Sequence, residues 1–596
     1  CAAWTAVRPR SGFQAELVAG RMRSALCASW YRYRTITTMC ARSPSRWGAP
    51  GAGVTTMRLA TPDEMRQMDR EASERYGVSG LALMENAGAA VARVASRVAS
   101  RAGAAGLRRF AEPTRPVSVC IIAGRGNNGG DGFVAARHLA GYGARVWAYV
   151  VGDPSTIVGD ARINMDAMAG AGVGVVPLVD EEAWNAARAD LAQADVIIDA
   201  ILGTGARGAP SPEAARAISL MNESTAPVVA VDAPSGVDAL TGAVLGECVI
   251  AHTTVTLALA KTGLLTYPGA YYAGRVVLDG IGMPPPLLDL GEIKTRLTTP
   301  DDVRAALPVR RPDAHKGDFG SVLIVAGSPG MSGAPSLAAM GALRSGAGLV
   351  HLLVPAGIAG EVSARHAEVM VHPAPEPCVS SILEMAARCQ GVVVGPGMSC
   401  CERTATIVDA VISEIRVPLV LDADAINVMA GRAQALREAR APVVITPHPG
   451  ELGRLFGVGA DEINRDRLGW ARRAALETGA TVVLKGARTV IAGTGGEAYV
   501  NPTGNSGMAT AGMGDVLSGA AGSLCAAGLG SLAAGYCSAY IHGLAGDFAA
   551  RERGADGMVA GDVLAHIPEA FGAVRTKTAM LWGMMPVAYS HLPEGW

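Results

Sequence analysis

The chain is predicted to be α/β, folding as two doubly wound domains, and three observations predict it. Short apolar runs alternate with helical patterns along most of the 596 residues, as strands and covering helices of a mostly parallel sheet do. Those runs end repeatedly in Gly, Asn, Asp or Ser, the residues that turn a strand into a helix. The rhythm breaks at Pro284-Pro285-Pro286 and then restarts, which marks a boundary because consecutive prolines end regular structure. A chain of this length exceeds one core. The expected division is 57–284, a linker at 285–297, and 298–572, with 1–56 and 573–596 unassigned.

The first domain opens at Thr61-Pro62-Asp63-Glu64, where Thr caps, Pro takes the first helical position and Glu completes a capping box. Met65, Met68 and Ala72 make one helical face. A second helix is expected over 80–98, a buried strand over 117–123, and a helix over 132–142. Further strands follow at 145–151, 196–200, 228–231 and 254–259. Between strand and helix lies Gly124-Arg125-Gly126-Asn127-Asn128-Gly129-Gly130-Asp131-Gly132. Glycines let backbone N–H groups converge on an anion, and the following helix adds its positive end.

Ligands of such sheets bind beyond the carboxyl ends of the strands. Three polar clusters fall there: Asn127 to Asp131, Asp199-Ala200-Ile201-Leu202-Gly203-Thr204-Gly205, and Asp232-Ala233-Pro234-Ser235-Gly236. Each alone is ordinary turn chemistry, but three at successive strand ends are expected to meet in one pocket. Their oxygens suit a hard cation that bridges to phosphate.

In the second domain, strands are expected at 321–326, 392–397, 419–424, 443–448 and 481–485, with a helix of small residues over 334–345. Polar ends recur at Gly395-Pro396-Gly397, Asp422-Ala423-Asp424, Thr446 to Glu451 and Lys485 to Thr489. Gly512-Met513-Gly514-Asp515 closes the set. Phosphoryl transfer needs N–H donors for the developing charge and a carboxylate to accept a hydroxyl proton, and this segment carries both. Asp515 is the candidate base; its bland alternative is a helix N-cap. His448, between two prolines, is as suited to a structural hydrogen bond as to a substrate contact.

Composition excludes several classes. Charged residues are 18% and the formal net charge is −1, so no global field draws nucleic acid or an anionic membrane. The 11 cysteines include no Cys-x-x-Cys, which argues against a zinc site or a disulfide framework and for a reducing cytoplasm. The uncharged run from Ser518 to Ile541 is Gly/Ala-rich and suits buried helices better than a membrane span. Residues 1–56 are Arg-rich, lack lysine and hold one acid, Glu16; an over-extended start is the preferred reading over a transit peptide. The tail 573–596, with Trp582, Met584, Met585 and Trp596, receives no role.

These motifs carry a resemblance. Asn86-Ala87-Gly88, Gly126 to Gly132, Asp199 to Gly205 and Asp232 to Gly236 resemble the NAD(P)H-hydrate epimerase domain. His315-Lys316-Gly317, Ser332-Gly333-Ala334, Gly395-Pro396-Gly397, Thr446 to Glu451, Lys485-Gly486-Ala487 and Asn505 to Gly519 resemble the ADP-dependent NAD(P)H-hydrate dehydratase, a ribokinase-like domain. In this order, over residues 57–572, the chain is similar to the bifunctional NAD(P)H-hydrate repair enzymes. One departure stands out: Ala511-Gly512-Met513-Gly514-Asp515 replaces the family's usual Gly-Gly-Thr-Gly-Asp, so Met513 removes a hydroxyl from the anion loop.

The resemblance implies a Rossmann-like first domain that interconverts the R and S hydrates of NADH and NADPH. It implies a second domain that dehydrates the S form while ADP becomes AMP and phosphate. Carried over by motif, Asn127, Asn128, Gly129, Gly130, Asp131, Gly203, Thr204, Gly205, Ala206, Arg207, Gly208, Ala209 and Asp232 contact the hydrate in the epimerase. Asn128, Asp199 and Ser235 hold potassium. In the dehydratase Ala334, Gly397, His448 and Asp515 contact the hydrate, and Lys485, Gly486, Ala487, Arg488, Thr489 and Gly514 bind ADP with magnesium. Asp232 and Asp515 are the expected catalytic residues; the epimerase partner of Asp232 is unidentified, and Lys261 is read as a phosphate contact or a surface ion pair. A homo-oligomer with no nucleic-acid or membrane partner is expected. The alternative is a ribokinase-like small-molecule kinase whose first domain binds nucleotide without catalysis.

Overall fold

The structure is a computed structural model that describes residues 57–105, 116–374, 379–576 and 585–589. The leader 1–56 and Trp582, Met584 and Trp596 lie outside the described residues.

Among the described residues, eight parallel strands build the first sheet. Their order is Val587–Tyr589, Arg275–Asp279, Thr253–Leu257, Val228–Val231, Val196–Ala200, Ser118–Ala123, Arg145–Val151 and Val175–Leu178. The central strands are buried throughout and mostly apolar because helices cover both faces. Chain order reverses between Ser118–Ala123 and Val196–Ala200, and the crevice beyond that switch point is where such sheets bind ligands. Thr61 caps the helix Pro62–Tyr76 in the expected capping box, with Met65, Met68 and Ala72 buried.

The start of one helix differs from the sequence reading. The helix begins at Asn127, not Gly132, and runs Asn127–Gly141, so the glycine-rich segment is the helix's own first turn. Tertiary packing overrides the poor helix propensity of Gly. At Gly88 a Cβ would lie 2.3 Å from Val134 Cβ and 2.6 Å from Asp131 O, so only glycine lets the helix Gly80–Ala105 press on this turn.

The second sheet has twelve strands among the described residues. Met370–Ala374, Leu349–Pro355, Ser321–Val325, Gly391–Val394, Leu419–Leu421, Val443–Ile445 and Thr481–Leu484 lie parallel, and Val490–Ala492 and Ala498–Val500 continue it antiparallel. Three strands from earlier in the chain extend it: Thr295–Leu297, Met57–Ala60 and Ala260–Lys261. Residues 285–297 thus carry the helix Pro285–Leu288 and a sheet strand. Met57, Leu59, Ala260, Leu264, Leu297, Val500 and Val587 share one apolar cluster.

Part of the tail has a structural place, since Val587–Tyr589 pairs along Arg275–Asp279 at the edge of the first sheet. The run from Ser518 to Ile541 falls in two helices, Met513–Ala526 and Ser531–Arg553, largely buried on the second sheet. Among the described residues no helix is long and apolar enough to cross a membrane.

Candidate active sites

The three polar clusters of the first half do meet. Gly124 N donates to Ala200 O at 2.9 Å, and a Cβ on Gly203 would sit 2.9 Å from Asn128 Oδ1. Leu202 N donates to Ser235 Oγ at 2.9 Å. Asp199, fully buried, accepts from Ser235 N at 2.8 Å and Ser235 Oγ at 2.6 Å. Burial raises its pKa to about 6 against those hydrogen bonds. The loop from Gly203 to Ala209 is open to solvent on one side, and Arg207 reaches Asp238 at 3.9 Å.

Asp232 sits at φ 63°, a left-handed backbone that a non-glycine residue adopts at a cost. Its Oδ1 accepts from Lys261 Nζ at 2.5 Å and Leu257 N at 3.2 Å. Lys261 is 1% exposed and also donates to Leu257 O at 2.7 Å. It is therefore not a surface ion pair: it is a buried partner of Asp232. Asp131, buried in the helix Asn127–Gly141, is held well above the usual carboxylate range by burial and then by the charge of Asp232, with Lys261 opposing. Asp69, which the sequence reading passed over, faces the same group from the helix Pro62–Tyr76; its pKa is raised by desolvation, with Lys261 lowering and Asp232 raising it.

The residues expected to hold potassium are Asn128, Asp199 and Ser235. Asn128 Nδ2 is buried without a hydrogen-bond partner; a half-turn of the amide would put an unsatisfied oxygen there. The donor chemistry fits a hard monovalent cation.

In the second half, Asp515 is the third residue of the helix Met513–Ala526, and Gly512, at φ 86°, occupies the cap position. Asp515 is not the N-cap. Burial pushes its pKa up to about 7, with Asp422 adding to the rise and Lys485 opposing it. Lys485 Nζ lies 2.8 Å from Asp422 Oδ1 and 3.5 Å from Glu451 Oε2. A Cβ on Gly514 would be 3.3 Å from Lys485 Nζ, so the lysine sits against the anion loop. His448 caps the helix Pro449–Phe456: its Nδ1 accepts from Gly450 N at 3.0 Å and Glu451 N at 3.3 Å. That bonding fixes the neutral tautomer, and desolvation lowers the pKa. Nε2 lies 3.5 Å from Glu451 Oε1, and the imidazole is half-exposed. Ala334 and Gly397 are brought together, with a Cβ on Gly397 falling 3.0 Å from Ala334 Cβ. Among the described residues no group of three or more His, Cys, Asp or Glu is arranged to hold a metal.

Comparison with known proteins agrees with this division. The family description "YjeF-related protein N-terminus" matches residues 80–263, and "NAD(P)H-hydrate dehydratase" matches 322–569. The bifunctional NAD(P)H-hydrate repair enzyme Nnr of Moorella thermoacetica is 42% identical over 520 residues, spanning 86% of this chain and 96% of its own. That of Escherichia coli K12 is 35% identical over 505 residues, spanning 85% and 92%. Among solved structures, the ADP/ATP-dependent NAD(P)H-hydrate dehydratase from Bacillus subtilis, co-crystallised with ATP/Mg2+, is 31% identical with a TM-score of 0.42, covering 47% of this chain and 98% of that one. With both halves matched in order and the relatives covered almost end to end, the chain belongs to the family of bifunctional NAD(P)H-hydrate repair enzymes.

Proposed function

We propose that the two sites act in sequence on NADH or NADPH that has taken up water on its nicotinamide ring. The first half interconverts the R and S hydrates, and the second removes water from the S form as ADP gives AMP and phosphate. The observation that carries this reading is the meeting of Lys485, Asp422, Glu451 and Asp515 at the glycine-rich helix start.

Hydroxide leaves poorly, so phosphorylating the ring hydroxyl turns it into departing phosphate, expelled by the ring nitrogen. Asp515 accepts the hydroxyl proton, and the free amides of the helix start hold the phosphoryl oxygens. Lys485 to Thr489 bind the nucleotide, while Ala334, Gly397 and His448 face the hydrate. Magnesium bound with the nucleotide at Lys485 to Thr489 would offset the charge of its phosphates. In the epimerase Asn127 to Asp131 and Gly203 to Ala209 hold the hydrate. Asp232, paired with Lys261, and Asp131, whose pKa burial raises well above the usual carboxylate range, form two carboxyls in different environments. Such a pair suits proton removal and return at the hydrated carbon. Asn128, Asp199 and Ser235 would hold potassium, whose charge would anchor a phosphate of the hydrate. We place the enzyme in the cytoplasm as a homo-oligomer.

The test is absorbance at 340 nm on mixed R and S NADH hydrate with potassium, magnesium and ADP or ATP. Full recovery of NADH with ADP supports both activities. Recovery that stops at the S fraction confines catalysis to the second half, and none with either nucleotide favours a small-molecule kinase.

A further inference from the structure

The helix Arg467–Thr478 begins with an arginine that no step above uses. Arg467 is 9% exposed. Its Nη2 donates to Leu484 O at 3.0 Å and Lys485 O at 3.2 Å, and its Nη1 donates to Ala487 O. Among the described residues no carboxylate pairs with it and Nε finds no partner. Burial alone lowers its pKa, to about 10. Asp466 is turned away to cap the same helix, accepting from Gly469 N at 2.9 Å. A buried cation without a counter-ion is costly, so three carbonyls are a specific arrangement for holding it.

Those carbonyls fix the other side of the loop. In a trans peptide the C=O and the following N–H point in opposite directions. The C=O of Leu484 faces Arg467, and Lys485 N accordingly points away, to Pro447 O at 2.8 Å. The C=O groups of Lys485 and Ala487 also face Arg467, so the N–H groups of Gly486 and Arg488 point away as well. Neither finds an acceptor among the described residues, nor does Ala487 N. Gly486 at φ 144° and Arg488 at φ 56° set the turn, and a Cβ on Gly486 would lie 2.8 Å from Arg467 Nη2. The result is a cradle of free amides backed by a guanidinium, the form of an anion-binding nest.

We infer that Arg467 is a positioning residue for adenine-nucleotide binding, drawing the carbonyls of Lys485 and Ala487 inward so that the amides of Gly486 and Arg488 face the nucleotide phosphates. This rests on the assignment of Lys485 to Thr489 to the nucleotide made above.

The test is calorimetric ADP binding and steady-state kinetics on the full chain carrying Arg467→Met or Arg467→Lys. Arg467→Met should weaken ADP binding and raise its KM about tenfold, equivalent to about 1.4 kcal/mol. KM for the S hydrate, kcat and epimerisation should stay within about twofold, a split that a general loss of structure does not give. Arg467→Lys, with a smaller fan of donors, should recover part of the ADP affinity. ADP affinity unchanged in Arg467→Met, or ADP, hydrate and epimerase functions lost together, overturns the inference. Where Arg467→Met does not fold, Arg467→Lys decides: a raised KM for ADP alone supports the role, and an unchanged one overturns it. A wild-type chain that binds neither ADP nor ATP removes the nucleotide assignment and the inference with it; wild-type binding kept in Arg467→Met removes the inference alone.

Discussion

Asp232 and Lys261 show how much one ion pair decides. The 2.5 Å contact is nearly closed to solvent, and removing one partner of a buried pair leaves the other uncompensated, at about 3–5 kcal/mol. Lys261→Met should therefore lower thermal stability markedly and cut epimerisation by at least about a hundredfold, consistent with loss of acid–base catalysis, while NADH recovery from pure S hydrate persists. Retained epimerisation would show that Asp232 needs no cation. Asp515 makes a second prediction. With its carboxyl pushed up to about 7 by burial and Asp422, a base there works only when ionised. Dehydratase kcat/KM should fall on acidification through about pH 7, and Asp515→Asn should abolish it at every pH. The stability sign is opposite to that of a salt-bridged acid: a raised folded pKa favours the fold at low pH, and that contribution is lost as pH rises from about 4 to about 7. Asp515→Asn should flatten this stretch of the denaturation profile. Asp199, Asp232 and Asp422 were legible because they end apolar runs at strand ends, and Asp515 because it closes a glycine-rich loop; Asp69, inside a helix, gave no such signal. Lys261 was not, since a lysine flanked by Ala and Thr reads as surface, and Arg467 at a helix start gives no signal that three distant carbonyls will surround it.

At the scale of elements, small residues place the chemistry. The helix Met513–Ala526 carries Asp515 and packs on Gly333–Arg344, where a Cβ on Gly519 would lie 1.9 Å from Ala338 O and one on Gly341 would lie 2.4 Å from Val516 O. Backbone on the receiving side cannot yield as a flexible side chain does. Gly519→Ala should push the helices apart, destabilise the protein by about 1–3 kcal/mol or more, and lower dehydratase activity beyond what the loss of folded protein explains. Circular dichroism melting beside kcat at a temperature where the variant is folded measures both; wild-type values would mean that the two helices slide freely. The core strands were readable from sequence because both faces are apolar. The start of Asn127–Gly141 was not, because glycine and asparagine read as loop until the helix Gly80–Ala105 is packed against them through Gly88.

Across the whole molecule, the twelve-stranded sheet does not end where the second domain was expected to begin. Met57–Ala60 lies between Thr295–Leu297 and Ala260–Lys261, with Ala60 in register with Lys261, so the lysine that holds Asp232 sits on the far edge of the sheet that contains the dehydratase strands. Short strands such as these have no periodicity to read, and this continuity was invisible in sequence for that reason. Leu59 is fully buried, in the cluster that holds Ala260, Leu297, Val500 and Val587. Leu59→Ala removes a side chain shared by both halves and should cost about 2–5 kcal/mol. If the sheet makes the halves one cooperative unit, calorimetry of the wild type gives one transition, and Leu59→Ala shifts all of it downward while epimerase and dehydratase activities fall over the same temperature range. Two separate transitions, with only one moved by the substitution, would instead mean that the strands touch without coupling the sites, and that each half keeps its own stability.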